Sequence, residues 1–333
     1  MKKIFFILPV ITILFFSCTK NVASPQPGPN DSLPKPPQPK DTLASGWTKK
    51  VVSDSSGLND IFFINNTGFT AGEGPNTFKS TDGGNSWSPI PVPSTGNPFP
   101  GIAVVAMGTE NNAVLVQPLN VLISTQNGSG FGYTPHDGTI ISDAYFVDST
   151  TAYASGTSFW KTTNGGKSWT QLYSFRTGAY LNDSTYYWSF LYFLNEQTGW
   201  VFGNFGLYKT ANGGVDWQLI TTPFDISRSG AIFFLNSDTG YVATENSVEK
   251  TTDGGISWVK VFTGTSAYHD IYFVSNETGY VTDDTKIFKT VDGGNTWTRE
   301  VAVVSDRLMG LHFTDPNHGW ACGTKGTILK YSP

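Results

Sequence analysis

Charge is scarce in this 333-residue chain: Asp, Glu, Lys and Arg together make up 14% of it, and only Arg176, Arg228, Arg299 and Arg307 are arginines. With a net charge of −5 and no basic stripe, the composition excludes a nucleic-acid binder, which concentrates Lys and Arg on one face. Cysteine is scarcer still. Cys18 and Cys322 are the only two, so a disulfide-stapled scaffold is excluded. The four histidines, His136, His269, His312 and His318, lack the spacing of metal ligands. Helical periodicity is nearly absent, and the Gly-Gly pairs stand between strand-like runs, so they do not form a strand-to-helix phosphate loop. Neither a metal nor a cofactor is expected.

Glycine and aromatic rings are abundant, with 36 Gly, 24 Phe, 14 Tyr and 10 Trp. Many of them fall in one motif, written five times: Ser80 to Trp87, Thr162 to Trp169, Thr210 to Trp217, Thr251 to Trp258 and Thr290 to Trp297. Each copy reads Ser/Thr-x-Asp/Asn-Gly-Gly-x-Ser/Thr-Trp, except that Asp216 precedes Trp217. Asp82, Asn164, Asn212, Asp253 and Asp292 carry short polar side chains able to accept hydrogen bonds from their own turn, and the glycines supply positive φ. The tryptophans Trp87, Trp169, Trp217, Trp258 and Trp297 open the strand that follows. The motif is therefore a hairpin turn first. As a calcium loop it lacks the several spaced carboxylates such sites use, and two copies carry Asn.

A longer unit surrounds the box. It opens with an aromatic and β-branched run such as Ile61 to Ile64, Ala144 to Val147, Ile232 to Leu235 or Ile271 to Val274. A small residue followed by an aromatic comes next (Gly68-Phe69, Ala152-Tyr153, Gly199-Trp200, Gly240-Tyr241, Gly279-Tyr280, Gly319-Trp320), then a third strand, the box and a fourth strand. First strands at Ile61, Ile102, Ala144, Leu191, Ile232, Ile271 and Leu311 give a period of about 40 residues, the propeller range. In the second unit the box has decayed to Ser124 to Phe131, and the last unit stops a strand short at Tyr331. Gly46 to Val51 resembles the missing fourth strand. The fold expected is all-β: a seven-bladed β-propeller of four-stranded blades, closed by the N-terminal strand pairing with the C-terminal blade.

The N-terminal residues suggest export. Residues 1–17 have the charged, apolar and small-residue order of a signal peptide, and the apolar run Ile4 to Phe16 is short for a membrane span. Cys18 at the cleavage point resembles a bacterial lipobox and is the expected lipidation site. Residues 18–45 then form a lipidated N-terminus and Pro-rich tether, ahead of the propeller at 46–333. Once Cys18 carries lipid, no intrachain disulfide is possible, and Cys322 is expected to be a buried, inert thiol.

The box resembles the Asp-box, or BNR, repeat. The region from 46 to 333 resembles the single-propeller family typified by photosystem II assembly and stability factors, which implies a scaffold that binds protein. Related propellers include sialidases and xyloglucan-cleaving glycosidases. A sialidase needs an arginine cluster and an early Arg-Ile-Pro, which this chain lacks; the xyloglucan-cleaving enzymes use two propellers, and only one fits this length. No acid/base carboxylate pair can be assigned, so an enzyme is not expected.

In a propeller, the connections from each fourth strand to the next first strand form a rim around the channel, opposite the boxes. That rim should carry Arg176, Arg228, Arg307, His136, Tyr268 and His269, with Tyr180, Tyr186, Tyr187 and Trp188 in the longest connection. Aromatics and a few convergent polar groups suit a peptide segment, or in the alternative a glycan. Asp60, Asp143 and Asp270 each precede a first strand, and their repetition points to a structural turn role near the channel mouth. The sequence therefore predicts a monomeric, non-catalytic, lipid-anchored envelope protein at the outer membrane, binding a protein partner through its rim. The alternative is a carbohydrate-binding or glycoside-hydrolysing surface protein.

Overall fold

The computed structural model describes residues 43–44, 46–53, 57–72, 77–91, 104–117, 121–125, 131–135, 141–174, 188–203, 206–225, 230–264, 266–301 and 304–333. Among them every sheet is antiparallel and four-stranded, and the sheets stand around a channel as propeller blades. Blade one runs outward from Leu58–Ile64 through Thr67–Gly72 and Thr77–Ser80 to Ser88–Pro89. The innermost strands of blades two to six are Val104–Thr109, Ile141–Phe146, Trp188–Phe193, Ala231–Phe234 and Tyr268–Phe273.

Counting first strands in the sequence predicts seven four-stranded blades, the last completed by the N-terminal strand. The blades that the chain writes whole, as four consecutive strands, number six, which corrects that count; the remaining sheet is a composite of both chain ends. Its inner strands are Leu308–Asp315, His318–Gly323 and Thr327–Tyr331, and its outer strand is Trp47–Val51. The outer pairing runs from Trp47 opposite Tyr331 to Val51 opposite Thr327. In blade two the inner strand begins at Val104, so Ile102 is not its first residue.

Aromatic stacking holds neighbouring blades together. Phe193 stacks on Tyr153 of the preceding blade at 3.8 Å, Phe234 on Trp200 at 3.6 Å, Phe273 on Tyr241 at 4.0 Å, Phe313 on Tyr280 at 4.1 Å and Phe63 on Trp320 at 3.7 Å. In five of the sheets the glycine before the second-strand aromatic makes room for the inner-strand ring of its own blade. A Cβ on Gly199 would lie 2.6 Å from the Phe193 ring, and one on Gly319 would lie 2.2 Å from Phe313. The small-aromatic dipeptide is thus a packing requirement. Cys322 is fully buried in the composite sheet, and burial pushes its thiol pKa well up.

Each box is a self-satisfied turn. In the second-to-last copy, Thr251 Oγ1 donates to Asp253 Oδ1 (2.8 Å) and accepts the Gly255 N–H (2.9 Å). Asp253 then accepts the Ser257 N–H (2.8 Å) and hydroxyl (2.6 Å), while Trp258 Nε1 donates to Gly255 O (2.8 Å). In the Asn copies the amide becomes a donor, to Ser168 Oγ (2.8 Å) and to Asp216 Oδ2 (2.9 Å). This accounts for Asp216: opposite an amide the position needs an acceptor. The first glycine of each box donates to the hairpin joining the inner two strands, as Gly83 does to Asn66 O (2.9 Å) and Gly293 to Glu277 O (2.8 Å). These bonds put all five boxes on the face opposite the starts of the inner strands.

Candidate functional site: the channel mouth

The channel opens at the starts of the inner strands, where a cavity of about 290 Å³ is lined by residues of every blade. At this level Asp60, Asp143 and Asp270 each sit at a β-bulge in the pairing of the first two strands. Their carboxylates do the same work three times. Asp60 accepts the N–H of Ile61 (2.7 Å) and, across the blade boundary, that of Val105 (2.8 Å). Asp143 accepts those of Ala144 (2.7 Å) and Leu191 (2.8 Å), and Asp270 those of Ile271 (2.8 Å) and Leu311 (2.7 Å). A fourth tie uses a ring nitrogen: His312 Nδ1 accepts the Phe63 N–H at 3.3 Å, joining the composite sheet to blade one.

The carboxylates carry a penalty for this position. Burial outweighs the two N–H bonds and pushes Asp60 from 3.8 to about 6 and Asp143 to about 8, with Asp60's charge adding to the second. Asp270 is driven well above its ordinary value for the same reason, with further repulsion from Asp60 and Asp143. Burial alone lowers His312 from 6.5 to about 3, keeping it neutral.

Next along the inner strands, one residue of almost every blade turns a ring to the channel. Tyr145, Tyr192, Phe233, Tyr272 and His312 follow one another at centroid separations of 5.2, 5.2, 5.2 and 5.1 Å, and His312 lies 4.1 Å from Phe62. Blade two breaks the belt, because its residue in register is Ala106. Above the belt, at the rim, Asp284 Oδ1 accepts from Arg307 Nε at 2.7 Å and lies 2.8 Å from His269 Nε2. Burial pulls the Asp284 pKa up, but its hydrogen bonds and electrostatic interactions with His269 and Arg307 outweigh it and hold the carboxyl below its ordinary value. The Arg307 side chain remains 52% exposed, which leaves it accessible from the mouth.

Of the predicted rim residues, Arg307 and His269 meet in this cluster, and His269 also lines the cavity. Tyr268 turns the other way. It is 2% exposed and packs with Phe262 and Phe288 between blades, so it is no part of the rim surface. Trp188 opens the innermost strand of blade four, paired with Gly203. Arg176, Tyr180, Tyr186, Tyr187, Arg228, His136 and Cys18 lie outside the described residues. The aromatic belt was missed in sequence. Its signal is the alternation Ile61-Phe62-Phe63, in which Ile61 and Phe63 are buried between sheets and Phe62 turns to the channel.

Among the described residues no cluster of His, Cys, Asp and Glu could hold a metal ion, and no helix is long and apolar enough to cross a membrane. Fold and channel define the class as a β-propeller. No family model and no curated protein matches the chain. Its similarity is to solved propellers: "YCF48 bound to D1 peptide", 15% identical, covers 88% of this chain and 99% of that one with a TM-score of 0.70. YCF48 from Cyanidioschyzon merolae is 19% identical over 87% of this chain and 99% of its own, with a TM-score of 0.71. The GH74 enzyme of Niastella koreensis is 15% identical, with 86% of this chain covering 53% of that one and a TM-score of 0.62. At these identities the likeness is one of fold.

Proposed function

We propose that this is a non-catalytic, lipid-anchored envelope protein whose propeller mouth binds an extended segment of another protein. The observation that carries the reading is the Arg307–Asp284–His269 cluster at the mouth, a half-exposed guanidinium held in place beside the cavity. A guanidinium pinned by one carboxylate keeps donors for the carbonyl or carboxylate of a docked chain. The channel carboxylates do not offer a hydrolytic pair, since each is committed to two backbone N–H groups of adjacent blades. A propeller of similar fold, YCF48, has been solved with a D1 peptide, and the same kind of ligand fits this reading. The Asp-box turns serve as scaffold, and anchoring rests on Cys18 and the Pro-rich tether.

The test is a peptide array of envelope proteins probed with wild type and Arg307→Ala, beside a glycan array. Peptide binding that falls about tenfold or more in Arg307→Ala supports the proposal. Saccharide binding without peptide binding moves the reading to the glycan-handling alternative, for which the GH74 likeness of fold leaves room. Metabolic labelling with palmitate, lost in Cys18→Ala, tests the anchor.

A further inference from the structure

One position breaks the repeat without a packing reason. Two residues before the box the chain places a ring, Phe78, Trp160, Tyr208 or Phe288, and these rings join the apolar clusters packed between blades. In blade five the same position is Glu249, a carboxylate side chain only 4% exposed. Beside it lies a cavity of about 430 Å³, between the third strand of blade five, Ser247–Thr251, and the connection from Pro223 to Asp225. This cavity shares no lining residue with the channel mouth.

Strand alternation turns Ser247 and Glu249 to the cavity and Val248 to the apolar cluster on the other face. Ser247 Oγ donates to Glu249 Oε1 (2.7 Å) and lies 2.8 Å from Thr244 Oγ1, so the buried hydroxyls satisfy one another and one carboxylate oxygen. Among the described residues the Glu249 carboxylate has no other hydrogen-bond partner and no ion pair, which leaves Oε2 unpartnered in a buried side chain. Burying an unpaired charge is costly unless something in the cavity donates to it. Lys260 stands opposite Glu249 in the strand register, on the same face, and lines the same cavity, yet the two form no ion pair. The Phe224 ring, held edge-on to Trp258 at 5.5 Å, supplies an apolar wall.

The lining discriminates between ligands. A cation at Glu249 would stand beside the Lys260 ammonium, which is tethered opposite and competes for the same oxygen. An anion at Lys260 would meet Glu249, with Asp225 and Glu245 also in the wall. A neutral ligand with several hydroxyls meets neither penalty, because it donates to the carboxylate, accepts from the ammonium and makes a charge-assisted hydrogen bond to each. We propose that the flank of blade five is a binding site for a neutral saccharide unit, with Glu249 Oε2 accepting from its hydroxyls, Lys260 donating to them and Phe224 covering the apolar face of the sugar ring. A space of about 430 Å³ lies in the range of small-molecule pockets. The proposal does not depend on the mouth binding a peptide.

The experiment is saturation-transfer NMR of the full chain with the methyl glycosides of glucose, galactose and mannose, using cyclohexanol and methylguanidinium chloride as controls. Saturable binding of at least one glycoside, absent with both controls, is expected. Glu249→Gln keeps the shape of the side chain and an acceptor for Ser247, and should weaken binding about tenfold or more. Lys260→Ala, at an exposed position of the outer strand, should weaken it about three- to tenfold. Glu249→Phe restores the ring of the other blades; it should abolish binding while raising the thermal unfolding midpoint, and if that variant does not fold the Glu249→Gln arm decides. A glycoside signal no greater than that of cyclohexanol, glycoside affinities that Glu249→Gln leaves unchanged, or saturable methylguanidinium binding in place of the glycosides overturns the assignment.

Discussion

Raising the pH from 6.5 to 8 should weaken this fold, against the usual behaviour of a protein whose carboxylates are stabilised by ionising. A carboxyl whose pKa is higher folded than unfolded binds more protons when folded. Its contribution is intact below the unfolded value and is lost as pH rises toward the folded one. Asp143 goes from 3.8 to about 8 and Asp60 from 3.8 to about 6, with Asp270 shifted in the same direction. His312 opposes them at lower pH: depressed from 6.5 to about 3, it costs stability as pH falls below 6.5 and offsets Asp60 there. Between 6.5 and 8 His312 is neutral in the folded state and sheds its remaining proton only in the unfolded one, a small opposing effect, so Asp143 and Asp270 set the slope. At about 1.4 kcal/mol per pH unit for each proton, Asp143 alone gives a loss of about 2 kcal/mol across that interval. Urea unfolding followed by tryptophan fluorescence at the two pH values measures it. Asp143→Asn should lower the overall stability by about 1–3 kcal/mol, because the Leu191 N–H loses its carboxylate acceptor, yet flatten the pH dependence. A wild type that is equally stable or more stable at pH 8, or an Asn variant with the wild-type slope, would refute the reasoning.

Three further outcomes follow from the packing. Asp306, 6% exposed, accepts from Lys49 Nζ (2.7 Å) and Thr327 Oγ1 (2.7 Å) and pairs with Lys325 (3.0 Å), so Asp306→Ala should cost about 3 kcal/mol. Hydrogen exchange should speed first in Trp47–Val51, the strand that Lys49 belongs to. Gly84→Ala forces a non-glycine residue to φ +81° with its Cβ 2.6 Å from Trp320 Nε1, a loss of about 2 kcal/mol or more by thermal unfolding. Thr251→Val, which removes the acceptor of the Gly255 N–H and a donor to Asp253, should cost about 1–3 kcal/mol in chemical denaturation.

The turn chemistry was legible because it is local. A Ser or Thr, an Asp or Asn and two glycines within eight residues determine one another through hydrogen bonds that never leave the hairpin. The propeller class was legible because such hairpins recur with small-aromatic pairs at a fixed period. What lay beyond sequence was contact between blades. Asp60 announces a turn at the start of a strand, but its second partner, Val105, is 45 residues away, and no local pattern reports a bond across that gap. Tyr268 fails for a related reason: standing beside His269 at a strand's first residue, it reads as rim, yet strand alternation sends adjacent side chains to opposite faces, His269 to the mouth and Tyr268 to the core.

The two ends of the channel differ in what their polar groups leave unmet. On the box face the polar groups satisfy one another: Asp253 and Asp292 accept from their own Ser257 and Thr296, and these bonds hold both carboxyls down to about 2. Such a surface has little to offer a ligand, since any new polar contact must first break an internal one. At the mouth the balance is reversed. Three carboxylates line the cavity, none of them in an ion pair among the described residues, and a guanidinium stays half exposed at the rim. The same aspartates tie blade to blade, so their protonation state and the stability of the propeller are coupled.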